Sequence, residues 1–309
     1  MQEHPNDKRW AYVVLGVGVI IISSSSILTR YAQAAGASSL SIAAVRLALA
    51  AMVLTPLAWA RASAEIRALS TRDIRLGLAA GALLAAHFAT WISSLAYTSV
   101  ASSTALVTTN PIWIALASVL IFHERMGKAV VVAIGFALLG STLIFLADSG
   151  IGSPQPDPLL GNALAVAGSL TVSGYLLIGR SLRRHLSLLV YVWLVYSSCA
   201  IALVCVALIA QQPLWGFTPV AWACLVALAL GPQLLGHTVF NWALKHVSAT
   251  FIALTILGEP IGSALLALLL FGETFSPLQI TGFVALLTGI YLAARSERPI
   301  PQEPPAQPK

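Results

Sequence analysis

Apolar residues fall along the chain in long runs, each about the length of a bilayer crossing and each closed by a short polar stretch. The runs predict ten spans, at 11–31, 39–60, 74–96, 102–122, 128–147, 159–180, 188–210, 219–241, 248–271 and 277–295. They read as helices. Barrel strands would be shorter and would alternate apolar with polar positions, whereas these runs are continuous and rich in Ala, Leu and Gly.

Composition sharpens that picture. With 58% apolar residues and only 9% charged, the chain carries too much apolar surface for one water-soluble core, and the bilayer must act as its solvent. The net charge of +6 could point to an acidic partner such as nucleic acid, but the placement of the charge explains it better. If the N-terminus is cytoplasmic, Lys8, Arg9, Arg61, Arg67, Arg72, Arg75, Arg125, Lys128, Arg180, Arg183, Arg184, Lys245, Arg295, Arg298 and Lys309 all fall on the cytoplasmic side. The opposite connections carry Asp148, Asp157 and Glu273 and essentially no base. Both termini are therefore expected in the cytoplasm, with the protein multi-pass in the cell (inner) membrane. The first run follows Lys8-Arg9 and is long enough for a retained span rather than a cleaved signal. Cys199, Cys205 and Cys224 lie inside spans as small packing residues, without a disulfide or metal framework.

A repeat organises the spans. Pro111-Ile112-x-x-Ala115-Leu116-x-x-x-Leu120-x-Phe122-x-Glu124 returns as Pro260-Ile261-x-x-Ala264-Leu265-x-x-x-Leu269-x-Phe271-x-Glu273, 149 residues later. The stretch from Gly150 to Pro158, rich in turn formers, divides the chain into residues 1–150 and 151–298, and a Pro- and Gln-rich tail, 299–309, is expected to be disordered. Five spans per unit is an odd number, so the second unit must be inverted relative to the first.

The paired units, the repeated motif headed by Asn110-Pro111 and Glu259-Pro260, and the run Ser39 to Ala51 with its early Arg46 resemble the EamA-type members of the drug/metabolite transporter superfamily over nearly the whole chain. More finely, the chain looks like the YddG-type exporters of aromatic amino acids and related compounds. The resemblance implies ten helices in inverted repeats and outward movement of small metabolites. No cofactor is expected. The expected partners are a small-molecule substrate and the lipid bilayer, with no nucleic acid, and a monomer is compatible with the pattern.

Polar groups at membrane depth nominate a site, because a charge there costs about 2.5–3.5 kcal/mol on insertion scales. Glu259 is the acid deepest in a span. It can couple to a proton or meet a substrate amine, or it can stay protonated and bond across helices. Its counterpart is the neutral Asn110. On the third span His87, Trp91 and Ser94 share one helical face, and on the eighth Gln233, His237 and Asn241 do the same at α-helical spacing. Together they suggest cavity walls, although each histidine alone could simply be packed. Trp91, Trp113 and Tyr175 are deep aromatics suited to apolar or aromatic solutes, whereas Trp10, Trp59, Trp215 and Trp222 read as interfacial anchors. Arg30 and Arg46 either snorkel to the interface or, for Arg46, steady an outer gate or pair with a carboxylate. The run Ser23 to Ser26 reads as close helix packing. Pro111 and Pro260 are candidate hinges.

Other classes are disfavoured. The sequence holds no His-Glu-x-x-His pair, no phosphate loop and no aspartate within a predicted span, so an intramembrane enzyme or an ATP-driven pump lacks its chemistry. Rings of charge that would line a channel are also missing.

Overall fold

A computed structural model describes residues 5–98, 100–121, 123, 126–148, 156–271 and 276–296. Phe122, Glu124 and Glu273 of the repeated motif, the central stretch 149–155 and the tail lie outside the described residues. The elements are α1 (Pro5–Ala34), α2 (Ser39–Arg67), α3 (Thr71–Ser94), α4 (Val100–Val107), α5 (Asn110–Leu120), α6 (Lys128–Asp148), α7 (Pro158–Leu182), α8 (Leu188–Ile209), α9 (Pro219–Leu228), a π-helical segment (Ala229–His237), α10 (Thr238–Ala243), α11 (Ala249–Ile256), α12 (Gly258–Phe271) and α13 (Pro277–Ser296). Among the described residues every regular element is helical. Among the described residues seven segments are long and apolar enough to cross a membrane: 12–34, 39–67, 71–94, 158–182, 188–209, 219–243 and 249–270. Lys128–Leu143 and Ile280–Leu292 are shorter apolar helices. Large apolar side chains such as Ile20, Met52, Ile201, Ile209 and Leu269 are exposed on the outside of the bundle, as lipid contact requires.

Helix starts are set by side-chain caps. Ser38, Ser70, Asp157, Ser187, Thr218 and Ser248 each accept a backbone N–H of the first turn, and Ser70 forms a reciprocal capping box with Asp73. Three predicted spans are not continuous α-helices. The fourth is split into α4 and α5 by the turn at Thr108–Thr109, and the ninth into α11 and α12 at Leu257. Pro111 and Pro260 consequently sit in the first turn of a restarted helix, where a missing N–H breaks no ladder bond. The eighth passes from α9 through the π-helical segment to α10, with Pro232 inside the segment. Proline removes an i→i−4 bond, and the wider i→i+5 turns absorb that loss.

Packing relates the two sequence units by a pseudo-two-fold axis. A Cβ on Gly140 of α6 would meet the Gly282 carbonyl at 2.6 Å and Leu286; one on Gly289 of α13 would meet the Ala133 carbonyl at 2.8 Å and the Ala137 nitrogen at 3.2 Å. Gly140 and Gly289, Ala133 and Gly282, and Ala137 and Leu286 are each 149 positions apart, so the contact is reciprocal in the manner of an isologous interface. Because α13 numbers fall as α6 numbers rise across this contact, the two helices run antiparallel. The same exchange recurs elsewhere. Gly161 and Gly168 of α7 pack on Thr98 and on Thr90 and Trp91, and in the other unit Gly18 and Ile22 of α1 pack on Val239 and Gly236. Each unit's first helix thus lies antiparallel to the other unit's third, and small residues permit the close approach. An axis that exchanges antiparallel helices must lie across them, perpendicular to their length.

Candidate functional site

The first and third helices of both units and the broken fourth and ninth spans line a small cavity. Its wall is paired about the pseudo-two-fold axis. Trp91 and Phe240, Val107 and Ile256, and Asn110 and Glu259 all line it, and each pair is 149 positions apart. Phe88 and His237, another such pair, touch edge to face with ring centroids 5.3 Å apart, which places the axis between them.

Of the residues nominated by sequence, His87, Trp91, Asn110, Tyr175, His237 and Glu259 line this cavity. His87 and Trp91 stack nearly parallel, 6° apart with centroids 6.0 Å apart. His87 Nδ1 lies 3.0 Å from the Gly168 carbonyl. A carbonyl only accepts, so Nδ1 carries the hydrogen and the neutral ring leaves Nε2 as an acceptor. Among the described residues the buried Asn110 side-chain oxygen has no donor and the buried indole N–H of Trp91 no acceptor.

The remaining nominees stand back from the wall. Ser94, one turn beyond Trp91, is fully buried and bonds the Trp91 carbonyl at 2.7 Å and the Ser103 hydroxyl at 2.6 Å. Trp113 is half-buried on α5 and does not line the cavity. Of Gln233, His237 and Asn241, His237 lines the cavity and the other two do not. Gln233 turns to Arg46. Asn241 accepts from the Tyr175 hydroxyl and donates to the Tyr196 hydroxyl at 3.0 Å.

Arg46 does not snorkel to an interface. It is 0% exposed, with Nε donating to the Gln233 side-chain oxygen at 3.1 Å and Nη1 to the Ser25 hydroxyl at 3.0 Å. Its guanidinium lies 4.4 Å from the centre of the Phe88 ring. One layer behind the cavity wall, it is close enough for its charge to act on Glu259. Arg30 likewise turns inward and donates to the Thr98 carbonyl at 2.9 Å. Ser23 and Ser26 pack α1 on α12: the Ser26 hydroxyl donates to the Ser263 hydroxyl at 3.1 Å, and the Ser263 hydroxyl donates to the Ser23 carbonyl at 3.0 Å. Cys199 and Cys224 are packing residues, whereas Cys205 is exposed on the outside of the bundle.

Polar ties close the bundle at both ends. At the end bearing the α1–α2 connection, Gln33 donates to the Ile92 carbonyl at 3.1 Å and Ser41 to the Pro213 carbonyl at 2.6 Å. At the end bearing the α2–α3 and α7–α8 connections, Tyr175, Asn241 and Tyr196 form a buried chain. There Arg183 donates to the Asn241 carbonyl at 3.0 Å, His185 meets Asp73 at 2.9 Å, and the Ser187 N–H reaches Glu65 at 2.7 Å. Among the described residues no cluster of His, Cys, Asp or Glu side chains could hold a metal ion.

Sequence reasoning missed the apolar part of the wall, Ile22, Val107, Val172, Leu176 and Ile256, together with Thr108 and Phe240. Apolar residues in an apolar span carry no signal of their own. The repeat carried one: Val107 and Ile256 stand three positions before Asn110 and Glu259 in matching places.

A family model described as the EamA-like transporter family matches residues 9–146 and again 159–295. An uncharacterized transporter of Synechocystis sp. is 26% identical over 186 residues, and the match spans 58% of this chain and about half, 54%, of that protein. A solved crystal structure is similar in fold, with a TM-score of 0.72 and 19% identity, covering 92% of this chain and 96% of that one.

Proposed function

The chain belongs to the EamA-like transporter family, and from that premise we propose that it exports small apolar metabolites, with aromatic amino acids such as tryptophan and phenylalanine foremost, by alternating access. The observation that carries this reading is the cavity astride the pseudo-two-fold axis, walled by stacked His87 and Trp91 with Tyr175 and Phe240 beside them. Rings of this kind suit aromatic solutes through stacked and edge-on contacts. Two units related by an in-plane axis can rock about a shared site and expose it to one side and then the other.

In this reading ten spans cross the cell membrane with both termini cytoplasmic, since Arg67, Arg72, Arg75, Arg180, Arg183, Arg184 and Lys245 sit at the end bearing the α2–α3 and α7–α8 connections. The ties at that end form the inner seal, and those around Gln33 and Ser41 the outer one. Arg46 steadies the outer half through Ser25 and Gln233. The breaks before Pro111 and Pro260 act as hinges. Glu259 takes up and releases a proton as the cavity changes sides, which also accommodates a second reading in which cationic drugs or other metabolites exchange for protons.

Reconstituted into liposomes, the protein is expected to move labelled tryptophan or phenylalanine, faster under an imposed proton gradient. No flux from a panel of aromatic, aliphatic and cationic solutes would remove the substrate assignment. A Glu259→Gln variant whose flux still followed the gradient would remove the coupling role.

A further inference from the structure

The cavity wall presents hydrogen-bond acceptors and holds no lysine or arginine. Asn110, 1% exposed, lines the cavity, and its side-chain oxygen has no donor among the described residues. Glu259, 7% exposed, also faces the cavity, and among the described residues no side chain bonds or ion-pairs with its carboxyl group. These two residues are pseudo-symmetry mates, so they approach one space from opposite units. His87, its Nδ1 hydrogen given to Gly168, offers Nε2 as a third acceptor in the neutral ring.

Both hydroxyl donors of the wall are occupied. The Tyr175 hydroxyl hydrogen goes to Asn241, and the Thr108 hydroxyl donates to the Thr104 carbonyl at 2.7 Å. The indole N–H of Trp91, the amide N–H groups of Asn110 and the ring N–H of a neutral His237 remain as uncharged donors. Arg46 is not part of the wall: its guanidinium stands behind the Phe88 ring and is bonded to Ser25 and Gln233. Glu259 is the ionisable acid in the wall, and a cargo carboxylate placed near it would meet like charge in a low-dielectric site.

We propose that the cavity recognises the ammonium end of its cargo through the Asn110 and Glu259 oxygens and makes no direct ion pair with a carboxylate, so that aromatic primary amines lacking a carboxylate are carried too. This rests on the reading of the cavity as a transport site. The ammonium supplies the donors that both oxygens lack, and the aromatic ring lies among Trp91, Tyr175 and Phe240. Aromatic faces beside the ammonium add attraction of their own.

Three indole compounds separate the ends of the cargo: tryptophan has both charges, tryptamine only the ammonium, and indole-3-propionate only the carboxylate. In proteoliposomes containing the full chain, labelled tryptamine is expected to move saturably and to compete with labelled tryptophan, whereas indole-3-propionate does not compete. Glu259→Gln and Asn110→Leu should each lower tryptamine flux about tenfold or more, the equivalent of about 1.4 kcal/mol. Asn110→Asp, which keeps the acceptor, should retain it, and monodisperse elution from a sizing column checks that each variant is folded. If tryptophan moves while tryptamine fails to compete, or while indole-3-propionate competes as well, the ammonium assignment falls and the transport reading stands. If none of the three moves or competes, both fall.

Discussion

The turn before α5 and the turn before α12 have the same backbone design and opposite chemistry. In each, a helix of eight residues ends, the chain turns, and a second helix restarts with proline in its first turn. The flanking Val107 and Ile256 also line the cavity as a pair. One unit places a neutral amide in the wall, Asn110, and the other an acid, Glu259. Duplication has kept the fold symmetric and left the charge on one side, which is what a carrier needs if its two units move alike while only one binds an ion.

That comparison can be broken by substitution. The largest effect is expected at the acid: Glu259→Gln should reduce flux of aromatic amino acids by about a hundredfold, or about 2.7 kcal/mol, and abolish its response to a pH gradient, measured in proteoliposomes. Asn110→Ala, which removes the amide from the neutral side, should reduce flux less and leave the gradient response intact. Equal losses at the two positions would contradict a charge-based asymmetry.

Stability tests should instead find the units alike. Gly140→Ala and Gly289→Ala each drive a methyl group against backbone, at 2.6 Å and 2.8 Å from a carbonyl oxygen, and should cost about 1–3 kcal/mol and lower the melting temperature in detergent by similar amounts. Arg46→Met removes two interhelical bonds, which in membrane proteins average about 0.6 kcal/mol each. Arg46→Lys should not restore them, because an ammonium cannot span Ser25 and Gln233 while lying flat on Phe88. The smallest effect is expected at the matched caps Ser38 and Ser187, where alanine should cost about 1 kcal/mol at either position.

How much of this was legible in the sequence varies by region. The helical membrane fold follows from run length and composition, which need no knowledge of packing. The wall positions of His87, Trp91, Tyr175, Asn110, His237 and Glu259 follow from a rule that polar or aromatic residues at membrane depth need a partner or a cavity. Gln233 and Asn241, named by the same rule, bond Arg46 and Tyr175 and are not among the residues that line this cavity. The rule left Arg46 open between the interface and an outer gate, since its distance along α2 says nothing of the Gln233 and Ser25 side chains that meet it from distant segments. The apolar lining was silent for a different reason: Val172 or Leu176 facing a cavity looks the same in sequence as one facing lipid.

The most direct test of an asymmetric charge on a symmetric frame is to move the charge to the other unit. Uptake of labelled tryptophan should be compared for Glu259→Asn alone and for Glu259→Asn combined with Asn110→Glu. Because both positions face one cavity across the pseudo-two-fold axis, the double exchange should recover most of the flux that the single substitution loses. A double variant that is folded yet as inactive as the single one would contradict the shared, pseudo-symmetric site.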